Sequence, residues 1–189
     1  MGDADALHEP EGGAYVPFAI EPIPLALIDA PLDYIVAEHF RQRVVCGALK
    51  RFAQAGQAPR AEADRVTAFL DRDLPLHYED EDEDLFPALR RRALPEDDLG
   101  TVLARLSDDH RQSDGMVADI KAALAASPAK DPVRLDQNAR RVMQAFAASE
   151  HRHLAMENGI VMALARVRLK ASDLKMMSRQ MRLRRGIDA

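Results

Sequence analysis

Two copies of one spacing in the chain suit metal ligation: His77 and Glu81 in His77-Tyr78-Glu79-Asp80-Glu81, and His153 and Glu157 in His153-Leu154-Ala155-Met156-Glu157. Residues four apart share a helix face, so each pair offers a ring nitrogen and a carboxylate oxygen to the same point. His39 and His110 stand alone before and between the pairs. Imidazole with carboxylate and no thiolate favours iron or manganese over a structural zinc site. Two carboxylates from opposite helices can also bridge a pair of ions about 3.5–4 Å apart.

The elements that must position these side chains read as helices. The 189 residues suit one domain with a full core, and the Ala/Leu/Arg/Glu/Asp-rich composition, with 5% aromatics and no Trp, predicts an all-α protein. Residues 1–30 carry Pro10, Pro17, Pro22, Pro24 and Gly12-Gly13 without an apolar period, which predicts an extended arm that includes His8. Pro31 suits a first helical turn, and Leu32, Ile35/Val36, His39, Cys46, Leu49 and Ala53 recur at helical steps up to Gly56 and Pro59. A second stripe runs Val66, Leu70, Leu74, His77, Glu81, Leu85, Leu89, with a kink expected at Pro75. Pro95 marks the third start, with a stripe Leu99, Leu103, Leu106, His110, Ser113/Asp114, Val117, Ile120, Leu124 ahead of a break at Ser127–Pro132. The fourth stripe runs Leu135, Ala139, Val142, Phe146, Ser149, His153, Glu157, Ile160, Leu164, Val167. The division is an arm over 1–30, a four-helix bundle over 31–170 and a basic C-terminal helix over 171–189.

Heights decide whether the polar positions meet, because each residue adds about 1.5 Å along a helix. In an up-and-down bundle with short loops, distance from the shared loop sets the level. His39 lies 17 residues before Gly56 and His77 lies 17 after Arg60; His77 lies 15 before Arg92 and His110 lies 15 after Pro95. His110 is 17 before Ser127 and His153 is 21 after Pro132, a mismatch of about one turn. The four imidazoles therefore fall in one inward layer. Burying them with two carboxylates is unfavourable by the order of several kcal/mol per unpaired charge unless something neutralises them, and a metal centre does.

With its lone His39, then His77 to Glu81 followed by Asp82 and Leu85-Phe86-Pro87, then His110 in Asp108-Asp109-His110, then His153 to Glu157, the chain resembles the bacterial hemerythrin-like (HHE cation-binding) domains over about residues 31–168. The resemblance implies an up-down four-helix bundle holding two Fe ions with oxo or hydroxo and carboxylate bridges, used in relatives for dioxygen binding, sensing or iron handling. It implies dioxygen, another diatomic or peroxide as ligand. Dioxygen-carrying hemerythrins place another histidine one turn after the third ligand; here that position is Asp114, the candidate seventh ligand by its oxygen.

Other readings are weaker. Glu79–Asp84 has no central Gly for an EF-hand loop and reads mostly as a solvated face. Ferritin-like centres use two Glu-x-x-His pairs, and only Glu150 to His153 is present. His151 points away, Cys46 reads as a buried inert thiol, and Tyr34 and Tyr78 read as packing. Residues 166–185 hold eight basic residues against Asp173, a surplus of seven; with the chain at −5 the remainder is −12, which argues against a nucleic-acid partner. The apolar strip Leu174, Met177, Met181 predicts a helix that caps the bundle, the alternative being a membrane-surface or protein-partner helix. No stretch is apolar enough for an integral membrane segment, and Met1–Asp5 lacks the features of a secretion signal, so the expected compartment is cytoplasmic. Two function classes follow: a di-iron binding or sensing module, and a di-iron enzyme of peroxidase-like or iron-donating repair type. Relatives proposed for iron-sulfur repair carry an extra Cys-containing N-terminal region, and this arm has no Cys.

Overall fold

Proline and glycine set the ends of the first helix in the computed structural model, which describes residues 19–126 and 130–187. Helix α1, Pro31–Ala55, opens on Pro31, whose missing N–H falls where no intrahelical acceptor exists, and stops at Gly56 in the left-handed conformation at φ 67°. Helix α2 covers residues 60–92. Helix α3 is Leu99–Ala125, and the short 3-10 turn Pro95–Asp97 precedes it, so Pro95 opens that turn and not the helix itself. Helix α4, residues 137–168, is capped by Asp136, whose carboxylate accepts the backbone N–H of Ala139 at 2.7 Å. Helix α5 is Ala171–Arg184. The five helices pack in a bundle, as the all-α reading predicts. One addition is a two-residue antiparallel ladder, Gln57–Ala58 with Val133–Arg134, which ties the α1–α2 loop to the α3–α4 loop. Among the described residues no helix is long and apolar enough to cross a membrane.

Helix α2 runs on through Pro75 with no new start there, and two other expectations need correction. The backbone just ahead of Pro75 widens into a π turn, Phe69–Asp73, in which the N–H of Leu74 bonds the carbonyl of Phe69. That wide turn contains Asp71, whose carbonyl a proline four residues on would otherwise strike, so the ring is absorbed without ending the helix. The arm is packed at its end: Leu25–Asp29 forms a 3-10 turn with Ile28 fully buried. Residues 1–18 of the arm, His8 included, lie outside the described residues, as do residues 127–129 of the Ser127–Pro132 break. The acidic run is also less solvated than expected: Glu79 and Glu83 are exposed, but Asp80 is fully buried beside the inward Glu81.

The core divides into two apolar layers. Val45, Leu49, Phe52, Val66, Leu70, Ile120, Met143 and Phe146 belong to one. Ile35, Leu85, Phe86, Leu89, Leu103, Leu106, Val161 and Met181 belong to the other. His39, His77, His110 and His153 each lie in sequence between residues of the two layers, so the polar level is sealed above and below by hydrocarbon.

Helix α5 contributes Met177 and Met181 to the second layer, and Leu174 packs against it. Ion pairs tie it to the body: Arg92 of α2 holds its Asp173 at 2.8 Å, its Arg182 holds Asp29 at 2.6 Å, and its Arg184 holds Asp80 at 2.7 Å and Asp84 at 2.6 Å. The apolar strip is consumed by the bundle, and what α5 turns outward is Met176 and Leu183. Truncating fully buried Met181 to Ala should lower stability by about 2–5 kcal/mol, whereas Met176→Ala, at an exposed site, should stay within about 0.5 kcal/mol; denaturant titration of both variants checks this.

Candidate metal centre

The four histidines aim their Nε2 atoms at two glutamates that are fully buried. His39 Nε2 lies 3.4 Å from Glu81 Oε1 and 3.4 Å from Glu157 Oε2. His77 Nε2 and His110 Nε2 each lie 3.4 Å from Glu81 Oε2, and His153 Nε2 lies 3.1 Å from Glu157 Oε1. Two overlapping groups result, His39, His77, Glu81, Glu157 and Glu81, His110, His153, Glu157, each with donor atoms within 4.8 Å of one another. Both carboxylates belong to both groups. The two overlapping buried clusters fit a dinuclear metal site.

Unsatisfied atoms support that fit. His77 Nε2, Glu81 Oε2 and both oxygens of Glu157 are buried without a hydrogen-bond partner, although an unpaired buried carboxylate oxygen is strongly unfavourable. His110 Nε2 and His153 Nε2 face each other at 3.0 Å. Two nitrogens about 2.1 Å from one ion, at a right angle, would lie about 3.0 Å apart, so the pair has the spacing of neighbouring ligands.

Backbone geometry presents the glutamates. In α2 a π turn spans Asp80–Leu85, with the N–H of Phe86 bonding the carbonyl of Glu81; in α4 another spans Glu157–Val161, with Met162 bonding Glu157 in the same way. Each His-x3-Glu pair therefore sits where a regular helix passes into a wider turn, which changes the glutamate's direction relative to the histidine four residues before it. The i, i+4 spacing alone does not reveal this, and π turns cluster at functional positions because they re-aim side chains.

Carboxylates also back the histidines from outside, and each helix serves the next. Glu38 of α1 accepts from His77 Nδ1 of α2 at 3.1 Å; Asp82 of α2 accepts from His110 Nδ1 of α3 at 2.8 Å; Asp109 of α3 stands 3.7 Å from His153 Nδ1 of α4. His39 Nδ1 closes no such pair. Such partners fix the ring orientation and make the inward nitrogen a better donor. Sequence reading missed them, because each acid neighbours a different ligand from the one it serves: Glu38 precedes His39, Asp82 follows Glu81, and Asp109 precedes His110.

Beside the His110 and His153 half, Tyr78 stacks on the His110 ring at 4.0 Å between centroids, and its hydroxyl donates to Glu150 at 3.1 Å. Burial pushes the Glu150 carboxyl up, and its second oxygen has no partner. Asp114 is exposed and outside both donor groups; the buried neighbour is Ser113, 3.1 Å from the Tyr78 hydroxyl. Asp114 instead lines an open cleft of about 320 Å³ with Pro75, Tyr78, Asp82 and His110. Cys46 lies in the first apolar layer, where burial pushes its thiol up to about 12, and His151 is exposed.

In protein stripped of metal, protons must do the neutralising. Burial alone would lower the His77 pKa, but Glu81 and Glu38 raise it to about 10; Asp82 and Glu81 raise His110 to about 9 against the same effect. Glu81 is driven down by His77, His110 and His39 despite its burial. The histidine contribution is complete below their ordinary value of 6.5 and lost as pH rises through about 9 and about 10. The Glu81 contribution is present above 4.5 and lost on acidification. Stripped protein should therefore lose stability steadily between pH 6.5 and 10, the metal-loaded protein should lose much less, and loading at pH 7 should release about two protons, from His77 and His110. Melting curves against pH and calorimetry in two buffers check both.

The Hemerythrin HHE cation binding domain matches residues 30–165 of the chain. Comparison with curated proteins gave no match. The matched stretch contains all six clustered donors, His39, His77, Glu81, His110, His153 and Glu157, and ends short of α5. With most of its length matched and its buried His/Glu clusters in the bundle, the chain belongs to the hemerythrin HHE cation-binding family.

Proposed function

We propose that the protein is a non-haem di-iron protein that binds or senses dioxygen or a related small oxidant. The observation that carries this reading is the sharing of both buried carboxylates by both donor groups. Four imidazoles with two carboxylates and no thiolate suit iron. Two six-coordinate ions offer about twelve positions, of which four imidazoles and two bridging carboxylates fill about eight, so positions stay open to small ligands. Two ferrous ions held there would supply two electrons and a binding position for dioxygen or peroxide.

The surrounding residues do the rest. Glu38 and Asp82 hold the Nδ1–H of His77 and His110, which keeps the Nε2 atoms turned inward. The two apolar layers keep bulk water from the polar level. The cleft beside His110 and Tyr78 supports access for a small molecule, with exposed Asp114 at its edge as a gatepost and not a ligand. The second reading, an enzyme that reduces peroxide, draws on Glu150: a carboxyl whose burial pushes its pKa up, hydrogen-bonded to Tyr78 next to two site histidines. Turnover of peroxide that falls in Glu150→Gln at unchanged iron content would favour it.

Purified protein should hold close to two irons per chain, and Glu157→Ala should lose both, because both donor groups include that carboxylate. Asp114→Ala should retain both. Azide added to the oxidised protein should shift its charge-transfer bands, in wild type and in Asp114→Ala alike. One zinc per chain after growth with ample iron, or a spectrum inert to azide, would contradict the proposal.

A further inference from the structure

Helix α5 lies beyond the residues matched by the family, yet its end reaches the metal level. Arg185, immediately after the helix, is 8% exposed, and its guanidinium is fully engaged. Nη2 donates to Glu38 Oε1 at 3.1 Å and to Asp80 Oδ2 at 2.7 Å, Nε donates to the Tyr34 hydroxyl at 3.2 Å, and Nη1 donates to the Met181 carbonyl at 3.1 Å. The other oxygen of Glu38 is the one that accepts from His77 Nδ1. A three-member chain thus runs from the C-terminal segment to one inward nitrogen: Arg185, Glu38, His77.

The other half of the centre has only a looser counterpart, in which exposed Arg105 stands 3.6 Å from Asp109. Asp82 behind His110 is steadied by Ser107 at 2.5 Å and is 30% exposed, while Asp109 behind His153 stands 3.7 Å away. We propose that Arg185 is a positioning residue for the metal centre: it fixes the Glu38 carboxylate on His77, so that the C-terminal segment selectively holds the ion on the His39 and His77 side. A guanidinium suits this role because its planar fork serves two carboxylates from one fixed position and keeps its charge at every physiological pH. Without it, the outer oxygen of Glu38 would lose its guanidinium and face buried Asp80, which would keep Arg184. Glu38 would then turn from His77, and His77 would lose the partner that orients its ring and strengthens its inward nitrogen.

This inference rests on the dimetal reading, and the test separates the two. Full-length protein loaded with ferrous iron is held against a chelator at a concentration that wild type withstands with two ions, and retained iron is counted beside a thermal melt. Arg185→Gln should weaken one ion by about tenfold or more and keep one; Glu38→Gln should do the same, with no further loss in the double variant. Arg185→Lys should recover part of the affinity. Arg92→Gln, which cuts the tie between Arg92 and Asp173 that anchors α5 away from the site, should lower the melting temperature and keep two ions. Arg185→Gln that keeps two ions, loses both together, or matches Arg92→Gln overturns the inference and leaves the dimetal reading standing. Wild type that never holds two ions overturns both.

Discussion

The structure depends on neutralising two carboxylates, Glu81 and Glu157, that no water reaches. Hydrocarbon lies above and below them, so each negative charge must be met by a cation within a few ångströms or be strongly destabilising. Four imidazoles, one from each of α1 to α4, converge on them and can meet that need only with metal ions or protons at the inward nitrogens. The bundle's layering, the outer ring of acids and the basic C-terminal helix all follow from that requirement. Once cations occupy the middle, Glu38 and Asp82 are favourable behind His77 and His110; Arg184 and Arg185 then balance Asp80, Asp84 and Glu38. Charge alternates outward from the centre, and each ring orients the one inside it.

The backbone yields where the ligands require it. Regular helix would serve packing better, yet α2 and α4 widen at Glu81 and Glu157, and α2 widens once more ahead of Pro75. Such turns give poorer hydrogen bonding than an α-helix and persist because surrounding packing and ligand direction determine them. The apolar layers on either side are continuous across several helices, which lets α2 carry two irregular turns without a break.

How much of this the sequence disclosed depends on whether a signal was local. The helix end at Gly56, the inward stripes and the common level of His39, His77, His110 and His153 were legible, because capping chemistry and the 3.6-residue period are written in neighbouring residues. The π turns were not, since their cause is tertiary. The burial of Asp80 within the acidic run was missed because local pattern does not show that Arg184 and Arg185, a hundred residues on, return to cover Asp80. The outer carboxylates escaped for a similar reason: Glu38 lies beside one ligand in sequence and serves another in space. The stripe offered Ser113 and Asp114 as alternatives at one level, and the fold buries Ser113 and leaves Asp114 exposed.

The most direct measurement is diffraction from crystals of the iron-loaded protein collected at the iron absorption edge, where anomalous peaks report iron and nothing else at comparable strength. The account predicts two peaks about 3.5–4 Å apart, both between Glu81 and Glu157, one toward His39 and His77 and the other toward His110 and His153. A single peak, or iron located away from the two shared carboxylates, would contradict it.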